Sequence, residues 1–310
     1  MKEGAAIAST AAGQQRSPWL ALVAISGFIG IAFAQVTNMI LARALAGSVP
    51  PFSLAFFRWL IIAIGIAPFV LTELREKYHQ ITGHWWLIVI AGFLGMFLCG
   101  APIYVAGVST TAINIALIMA LSPILVLLIS VVLGLEKVKL TQVLGVALAL
   151  VGALIIISKG DLRTFTHFST VRGDLFVLIA MIGWSGYTLL QSRIVTELSF
   201  FARVCMFSAA GALLCLPFAI GEAWSAPHSV FNQRAAGAYL LAGIVPGLIA
   251  YAGFAYMGGR FGSVRASLVM YLGPIASALL SFAVLGEPPT IIHAIGGVLI
   301  LTGVWASLRK

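Results

Sequence analysis

Long apolar runs, separated by short polar segments, make up most of this chain. A transmembrane helix needs about 20 predominantly apolar residues, and runs of about this length recur throughout the sequence. They occupy residues 19–42, 51–72, 85–107, 111–135 and 141–158, and then residues 173–192, 199–221, 235–257, 262–285 and 290–308. The pattern predicts an all-α integral membrane protein with ten transmembrane helices.

Two polar segments frame these runs. Residues 1–18 contain little apolar content and predict a cytoplasmic N-terminal tail, whereas residues 159–172 are polar and irregular and predict a linker. We therefore expect a first five-helix repeat at residues 19–158 and a second at residues 173–310.

The two predicted repeats share residues in one register, which hydrophobicity alone does not explain. Pairs 151 positions apart include Gly107 with Gly258, Pro123 with Pro274, Ser130 with Ser281, Glu136 with Glu287, Gly145 with Gly296 and Gly152 with Gly303. Under slightly different shifts, Gln35 pairs with Gln191 and Pro68 with Pro217. Because five helices are an odd number, the second repeat must lie upside down relative to the first. Inverted repeats are typical of secondary transporters, which bind substrate near the middle of the membrane.

Composition excludes an ordinary soluble enzyme. The chain is 61% hydrophobic and 9% charged, whereas soluble domains contain about 25% charged residues. The net charge of +9 is scattered over short loops, so we expect no nucleic-acid partner. The Lys and Arg excess instead orients both termini toward the cytoplasm. The three cysteines match no metal motif, and we expect them to be buried.

Residues 112–157 contain a helix with a central Pro123, an acidic turn at Glu136 and a following glycine-rich helix. Pro274 and Glu287 repeat this pattern, although Glu136 follows Gly-Leu where Glu287 follows Leu-Gly. The pattern resembles the closing part of an EamA repeat in the drug/metabolite transporter superfamily. Residues 57–59 and 183–184 also look like the family's Arg-aromatic and Trp-containing elements.

This resemblance implies a ten-helix transporter of the bacterial inner (plasma) membrane that needs no cofactor. Within the superfamily, the whole sequence is most similar to YddG-type exporters of aromatic amino acids. Small organic metabolites, above all amino acids with aromatic or neutral side chains, are therefore the expected substrates. The alternatives are another metabolite class, such as nucleosides or drug-like cations.

Polar and aromatic residues recur at matching places in the predicted first and sixth helices. Amides are costly against lipid, so they should either line a wet cavity or bridge neighbouring helices. Tyrosines in the third, eighth and ninth helices could stack on a planar solute, or serve as packing groups and interfacial anchors. The predicted substrate-binding residues are Gln35, Asn38, Tyr104, Asn114, Trp184, Tyr187, Gln191, Tyr251 and Tyr271.

A second group of residues predicts gating or structural roles. Arg58 could attract a substrate carboxylate or pair with a carbonyl at a helix end. Pro123 and Pro274 each free a backbone carbonyl, which allows either a packing kink or a hinge. Glu136 and Glu287 end their helices and predict a structural turn or a gate. We expect His293 to be solitary and interfacial.

Rival functional classes need features that the sequence does not display. A membrane-embedded enzyme requires a metal cluster or a nucleophile with its base, and an ion channel requires charged rings or a filter loop. No catalytic or metal-binding residue is predicted. All acidic residues fall in the tail, in loops or at helix ends, so we expect transport without a proton-carrying carboxylate in the membrane.

Overall fold

The structure of the protein is a computed structural model that describes residues 18–134, 139–158, 160–161, 168–193, 197–253, 256 and 269–307. In these residues, the regular secondary structure is helical throughout. The first half contains α1 (Pro18–Ala44), α2 (Pro51–Glu76), α3 (Trp85–Ala106), α4 (Ala112–Val132) and α5 (Leu140–Ile157). The second half contains α6 (Phe168–Arg193), α7 (Phe200–Ser225), α8 (Gln233–Gly253), α9 (Val269–Leu280, extended by Ser281–Leu285) and α10 (Ile291–Ser307). Short helices at Tyr78–Gly83 and Pro227–Val230 follow α2 and α7.

Six of the described helices, α2, α3, α4, α6, α7 and α8, are long and apolar enough to cross a membrane. Helices α1, α5, α9 and α10 contribute shorter apolar stretches of described residues. Large apolar side chains also cover the outside of the bundle, with Trp224 90% and Phe69 88% exposed. Such a surface would aggregate in water but matches the hydrocarbon of a bilayer. The chain is an integral, multi-pass membrane protein.

Helices α2 and α7 pack along each other. Glu222, near the end of α7, accepts hydrogen bonds from the backbone N–H groups of Phe52 and Ser53 at 3.1 and 2.7 Å. Glu73, near the end of α2, accepts one from the backbone N–H of Ser199 at 2.7 Å. Each helix therefore caps the start of the other, and the two run antiparallel.

Helices α5 and α10 meet through glycine. A Cβ atom at Gly152 would lie 2.7 Å from the carbonyl oxygen of Gly296, and one at Gly303 would lie 2.5 Å from that of Gly145. Only glycine permits backbones to approach this closely. Gly303 and Gly145 lie 151 positions from Gly152 and Gly296, respectively, so the two contacts are equivalent under the repeat.

The described helices contain three π-helical segments; one is Ser281–Leu285 at the end of α9, and the other two lie at related positions of the two halves. These two segments are Gly92–Leu98 in α3 and Ile244–Ile249 in α8. A π segment breaks the regular hydrogen-bond ladder and leaves carbonyl groups open to other donors. The carbonyl oxygen of Met96 accepts the indole N–H of Trp59 at 2.8 Å.

The two prolines at equivalent positions differ in their local structure. Helix α4 is interrupted by a turn at Ala120–Leu121 and resumes at Ser122, so Pro123 lies in the first turn of its second segment. Helix α9 runs through Pro274 without such a turn. The predicted turn at Glu136 and residues 1–17 of the predicted tail lie outside the described residues, whereas Pro18 begins α1.

Candidate functional site

A buried polar cluster joins α1, α2 and α3. The side-chain oxygen Oδ1 of Asn38 accepts a hydrogen bond from Arg58 Nη1 at 2.9 Å and another from the Tyr104 hydroxyl at 2.6 Å. All three side chains are buried, with exposed fractions of 8%, 7% and 3%. The sequence predicted these residues separately, and the structure brings them to one point.

Arg58 also reaches the second half of the chain. Its Nη2 donates to the carbonyl oxygen of Pro246, in the π segment of α8, at 3.5 Å. The guanidinium lies over the ring of Trp59, 4.4 Å from the ring centroid, and Nε has no hydrogen-bond partner. The ion pairs among the described residues join Arg43 to Glu287 and Lys77 to Glu73 and do not include Arg58. Arg58 is therefore a buried cation whose partners in the described part of the chain are neutral.

A cavity of about 290 Å³ lies beside this cluster. It opens between the loop that joins α1 to α2 and the short helix after α7, and Tyr104 forms part of its wall. Its other walls are mostly aliphatic, with Ala42, Leu45, Pro51, Leu54 and Val108, and Ser48 and Ser229 add hydroxyls.

Helical geometry relates this cavity to Arg58 and Asn38. Ala42 lies four residues after Asn38 in α1, and Leu54 lies four residues before Arg58 in α2. Residues four apart share one face of a helix, so the cavity stands about one turn, or about 5 Å, above the polar cluster. The cavity and the cluster form the candidate site.

The aromatic residues predicted in the sixth helix occupy a different environment. Tyr187 is buried, and its ring occupies the space that a Cβ atom would need at Gly95. It meets Phe207 edge to face, with ring centroids 5.8 Å apart, and it contacts Trp184 at 5.5 Å. Trp184 and Gln191 are half-buried. These contacts pack α6 against α3 and α7.

The other predicted substrate-binding residues are dispersed. Gln35 is half-buried one turn before Asn38, and Tyr251 is half-buried and packs against the core near the end of α8. The side chain of Tyr271 lies outside the described residues. Asn114 belongs to a separate polar network.

The separate network centres on Asp174, a residue absent from the predicted site. One oxygen of Asp174, Oδ1, accepts hydrogen bonds from the Thr110 hydroxyl and, at 3.3 Å, from the Asn114 amide. Asn114 Oδ1 lies 3.1 Å from His293 Nε2, and His293 Nδ1 accepts the backbone N–H of Thr290 at 2.9 Å. The network therefore links the starts of α4, α6 and α10.

Two expectations from the sequence are wrong here. Asp174 is 1% exposed and lies inside α6, because the helix begins at Phe168 and thus before the apolar run. A carboxylate is therefore buried within the bundle, contrary to the expectation for acidic residues. His293 is not solitary, since Asn114 and Thr290 hold its ring.

Glu287 joins the two halves at the end of α9. One of its oxygens accepts Arg43 Nε at 2.7 Å, and the other accepts the Ser281 hydroxyl at 3.3 Å. Arg43 Nη1 also donates to the carbonyl oxygen of Gly107 at 3.1 Å. A Cβ atom at Gly107 would clash with the backbone of Ala42, so glycine permits this approach.

Comparisons with known proteins give a consistent relationship. The model of the EamA-like transporter family matches residues 16–158 and again residues 171–309. A protein of Archaeoglobus fulgidus named an uncharacterized transporter is 28% identical over 260 residues, which cover 84% of this chain and 88% of that protein. A protein of Streptantibioticus cattleyicolor named a probable terminal-alkyne amino-acid exporter is 25% identical over 250 residues, which cover 80% of each chain. A crystal structure that is 22% identical has the same fold, with a TM-score of 0.61 over 93% of this chain and 96% of that chain.

Proposed function

The chain belongs to the EamA-like transporter family, because the family model matches both of its halves. From this premise we propose that it exports small organic metabolites, above all amino acids or related compounds. The family match and the transporter names of its relatives support a membrane transporter of small metabolites. The finer proposal is that amino acids with neutral or aromatic side chains leave the cytoplasm of a bacterial cell through it.

The cavity that ends at Tyr104 is the observation that carries this proposal. Its volume of about 290 Å³ is close to the lower end of the range for small-molecule sites, about 300 to 1,000 Å³. Its walls are mostly aliphatic, and Tyr104 in its wall donates a hydrogen bond to Asn38, which accepts another from Arg58. Asn38 and Arg58 therefore place polar groups about one helical turn, or about 5 Å, beyond the cavity. An apolar wall with a few polar groups suits a solute that has one apolar and one polar end.

The proposed architecture is two inverted five-helix repeats, residues 19–158 and 173–310, in the bacterial inner membrane with both termini cytoplasmic. The antiparallel caps between α2 and α7 and the equivalent glycine contacts between α5 and α10 support this arrangement. With both termini in the cytoplasm, the loop between α1 and α2 lies outside the cell, so the cavity opens to the external side of the membrane. Rocking of the two repeats about the site would expose it to each side in turn.

The relative from Streptantibioticus cattleyicolor favours amino acids over nucleosides or drug-like cations, because its name describes an amino-acid exporter. The buried cation near the cavity also disfavours cationic solutes, which Arg58 would repel.

Efflux from intact cells tests the proposed direction and substrate class. Cells that produce the protein are loaded with dipeptides, whose hydrolysis raises the internal concentration of a single amino acid. We expect faster efflux of neutral or aromatic amino acids than from cells with empty vector. If cells with the protein in their membrane release every amino acid tested at the same rate as cells with empty vector, the proposal is contradicted.

A further inference from the structure

We infer that Arg58 is the carboxylate-binding group of the transport site, and that the carboxylate of a solute binds at the point where Asn38 Oδ1 now accepts hydrogen bonds. This inference rests on the proposed function and names the group by which that site selects its substrate. It requires that Arg58 lack a fixed counterion, that donors converge on one acceptor position, and that a solute have a route to that position.

The first requirement concerns charge. Arg58 is 7% exposed, and in the described part of the chain its acceptors are an amide oxygen and a backbone carbonyl. A buried charge is costly unless it is paired, and a guanidinium has five N–H donors. Nε has no partner, and the bond to Pro246 is long at 3.5 Å. The site thus retains an unneutralised charge and unused donors.

The second requirement concerns geometry. Arg58 Nη1 and the Tyr104 hydroxyl both donate to the single oxygen Oδ1 of Asn38, at 2.9 and 2.6 Å. A carboxylate oxygen accepts hydrogen bonds in the same way as an amide oxygen but carries negative charge, so it would bind these donors more strongly. Asn38 therefore occupies the position of a carboxylate and can yield it to a solute.

The third requirement concerns access. Tyr104 lines the cavity, and Ala42 and Leu54 of the cavity wall lie one helical turn from Asn38 and Arg58. A solute in the cavity would reach the donors by a movement of about one turn, about 5 Å. Its apolar part would remain against Leu45, Leu54 and Val108.

The inference also explains an asymmetry between the repeats. Under the shift of 149 that pairs Pro68 with Pro217, Arg58 corresponds to Phe207, which packs against Tyr187. Only one of these two equivalent positions carries a charge. If Arg58 served only to hold helices together, an apolar residue like Phe207 would serve equally well and at lower cost in a membrane.

Asn38→Asp is the decisive variant. It preserves the size of the side chain and supplies Arg58 with a permanent carboxylate, so the fold should keep or gain stability while solute carboxylates are excluded. Arg58→Gln removes the charge but risks misfolding, because Asn38 and Pro246 both depend on it. Gln142→Glu is the matched control, since Gln142 is a buried amide at the start of α5, outside the site.

The measurement uses purified protein in proteoliposomes and in detergent. Uptake of labelled phenylalanine and leucine is competed with phenethylamine and isoamylamine, the amines that lack only the carboxylate. Thermal unfolding is recorded with each compound. We expect amino acids, but not amines, to compete and to stabilise the wild type. Asn38→Asp should raise the half-saturation concentration about tenfold or more, as expected for loss of a hydrogen bond to a charged group.

The possible outcomes separate this inference from the proposed function. The inference is overturned, and the proposed transport is left intact, by either of two results. One is that the amines inhibit uptake as strongly as the amino acids do, and the other is that Asn38→Asp leaves the half-saturation concentration unchanged. Stabilisation by amino acids without uptake would overturn the proposed transport and support the carboxylate site. If the protein shows no uptake and no stabilisation by amino acids, both the inference and the proposed function are overturned. A loss of uptake in Gln142→Glu equal to that in Asn38→Asp would also count against the inference.

Discussion

Glu73 on α2 accepts hydrogen bonds from both the backbone N–H and the hydroxyl of Ser199, the residue before α7, at 2.7 and 2.6 Å. At the opposite end of the same pair, Glu222 on α7 accepts the backbone N–H and the hydroxyl of Ser53 at 2.7 and 2.8 Å. The start of each helix has unpaired N–H groups and a positive partial charge, and the carboxylate of the other helix satisfies both.

Glu73→Gln and Glu222→Gln should therefore each destabilise the protein by about 1 kcal/mol, because a neutral amide is a weaker acceptor at a helix start. The melting temperature of the purified protein in detergent measures this effect. Glu76→Gln, an exposed change at the end of α2, is the control and should leave the melting temperature unchanged. If the melting temperature falls in only one of these two variants, the two caps do not stabilise the protein equally.

Gly152→Ala should lower the melting temperature, since the new Cβ would lie 2.7 Å from the Gly296 carbonyl oxygen and 2.9 Å from the backbone nitrogen of Ile300. Both atoms belong to the α10 backbone, so the helices must move apart. The matched control is Gly237→Ala in α8, where a Cβ atom meets nothing within 4 Å. That change should preserve stability or raise it by about 0.5 to 1 kcal/mol through helix propensity. Equal melting temperatures for the two variants would show that α5 and α10 are not in close contact.

Asp174→Asn tests whether the buried carboxylate has a structural role or carries protons. Thr110 and Asn114 both donate to Asp174, so loss of the charge should cost about 1 to 3 kcal/mol of stability. We expect solute exchange at equal pH on both sides to persist. A variant that retains the wild-type melting temperature but loses exchange would instead assign Asp174 to the transport cycle.

Single-cysteine labelling tests the proposed topology. Asn232, after α7, should be external, whereas His79, after α2, should be internal, and both side chains are exposed. In intact cells, a membrane-impermeant maleimide should label Asn232→Cys but not His79→Cys until the membrane is opened. The three native cysteines are buried, so background labelling should be low. Labelling of both positions from outside would refute the inverted arrangement.

The long apolar runs predicted an all-helical membrane protein, and the described residues confirm this, because an apolar segment in a bilayer must satisfy its backbone groups internally. The second run was predicted to end at residue 72, but α2 continues to Glu76 and includes Glu73, which caps α7. In the same way, α7 continues past the predicted residue 221 to Ser225 and includes Glu222. The burial of the cysteines was also predicted correctly. Helix ends depend on partners that lie far away in the sequence, and periodicity does not reveal them.

The site was predicted less completely for the same reason. Arg58, Asn38 and Tyr104 stood out as polar groups in apolar runs, but their shared hydrogen bonds depend on how three helices pack. Asp174 follows a polar linker and resembled an exposed helix end, and its burial depends on Thr110 and Asn114. Each of these contacts joins residues of two different helices, or a helix to Thr110 in the loop before α4.

Counterflow in proteoliposomes tests the central claim most directly. Vesicles that contain the purified protein are loaded with an unlabelled neutral or aromatic amino acid and diluted into buffer at the same pH with a trace of the labelled compound. We expect transient accumulation of label inside the vesicles, absent from protein-free vesicles and reduced in Asn38→Asp. Folded protein that shows no counterflow with any neutral or aromatic amino acid would contradict this claim.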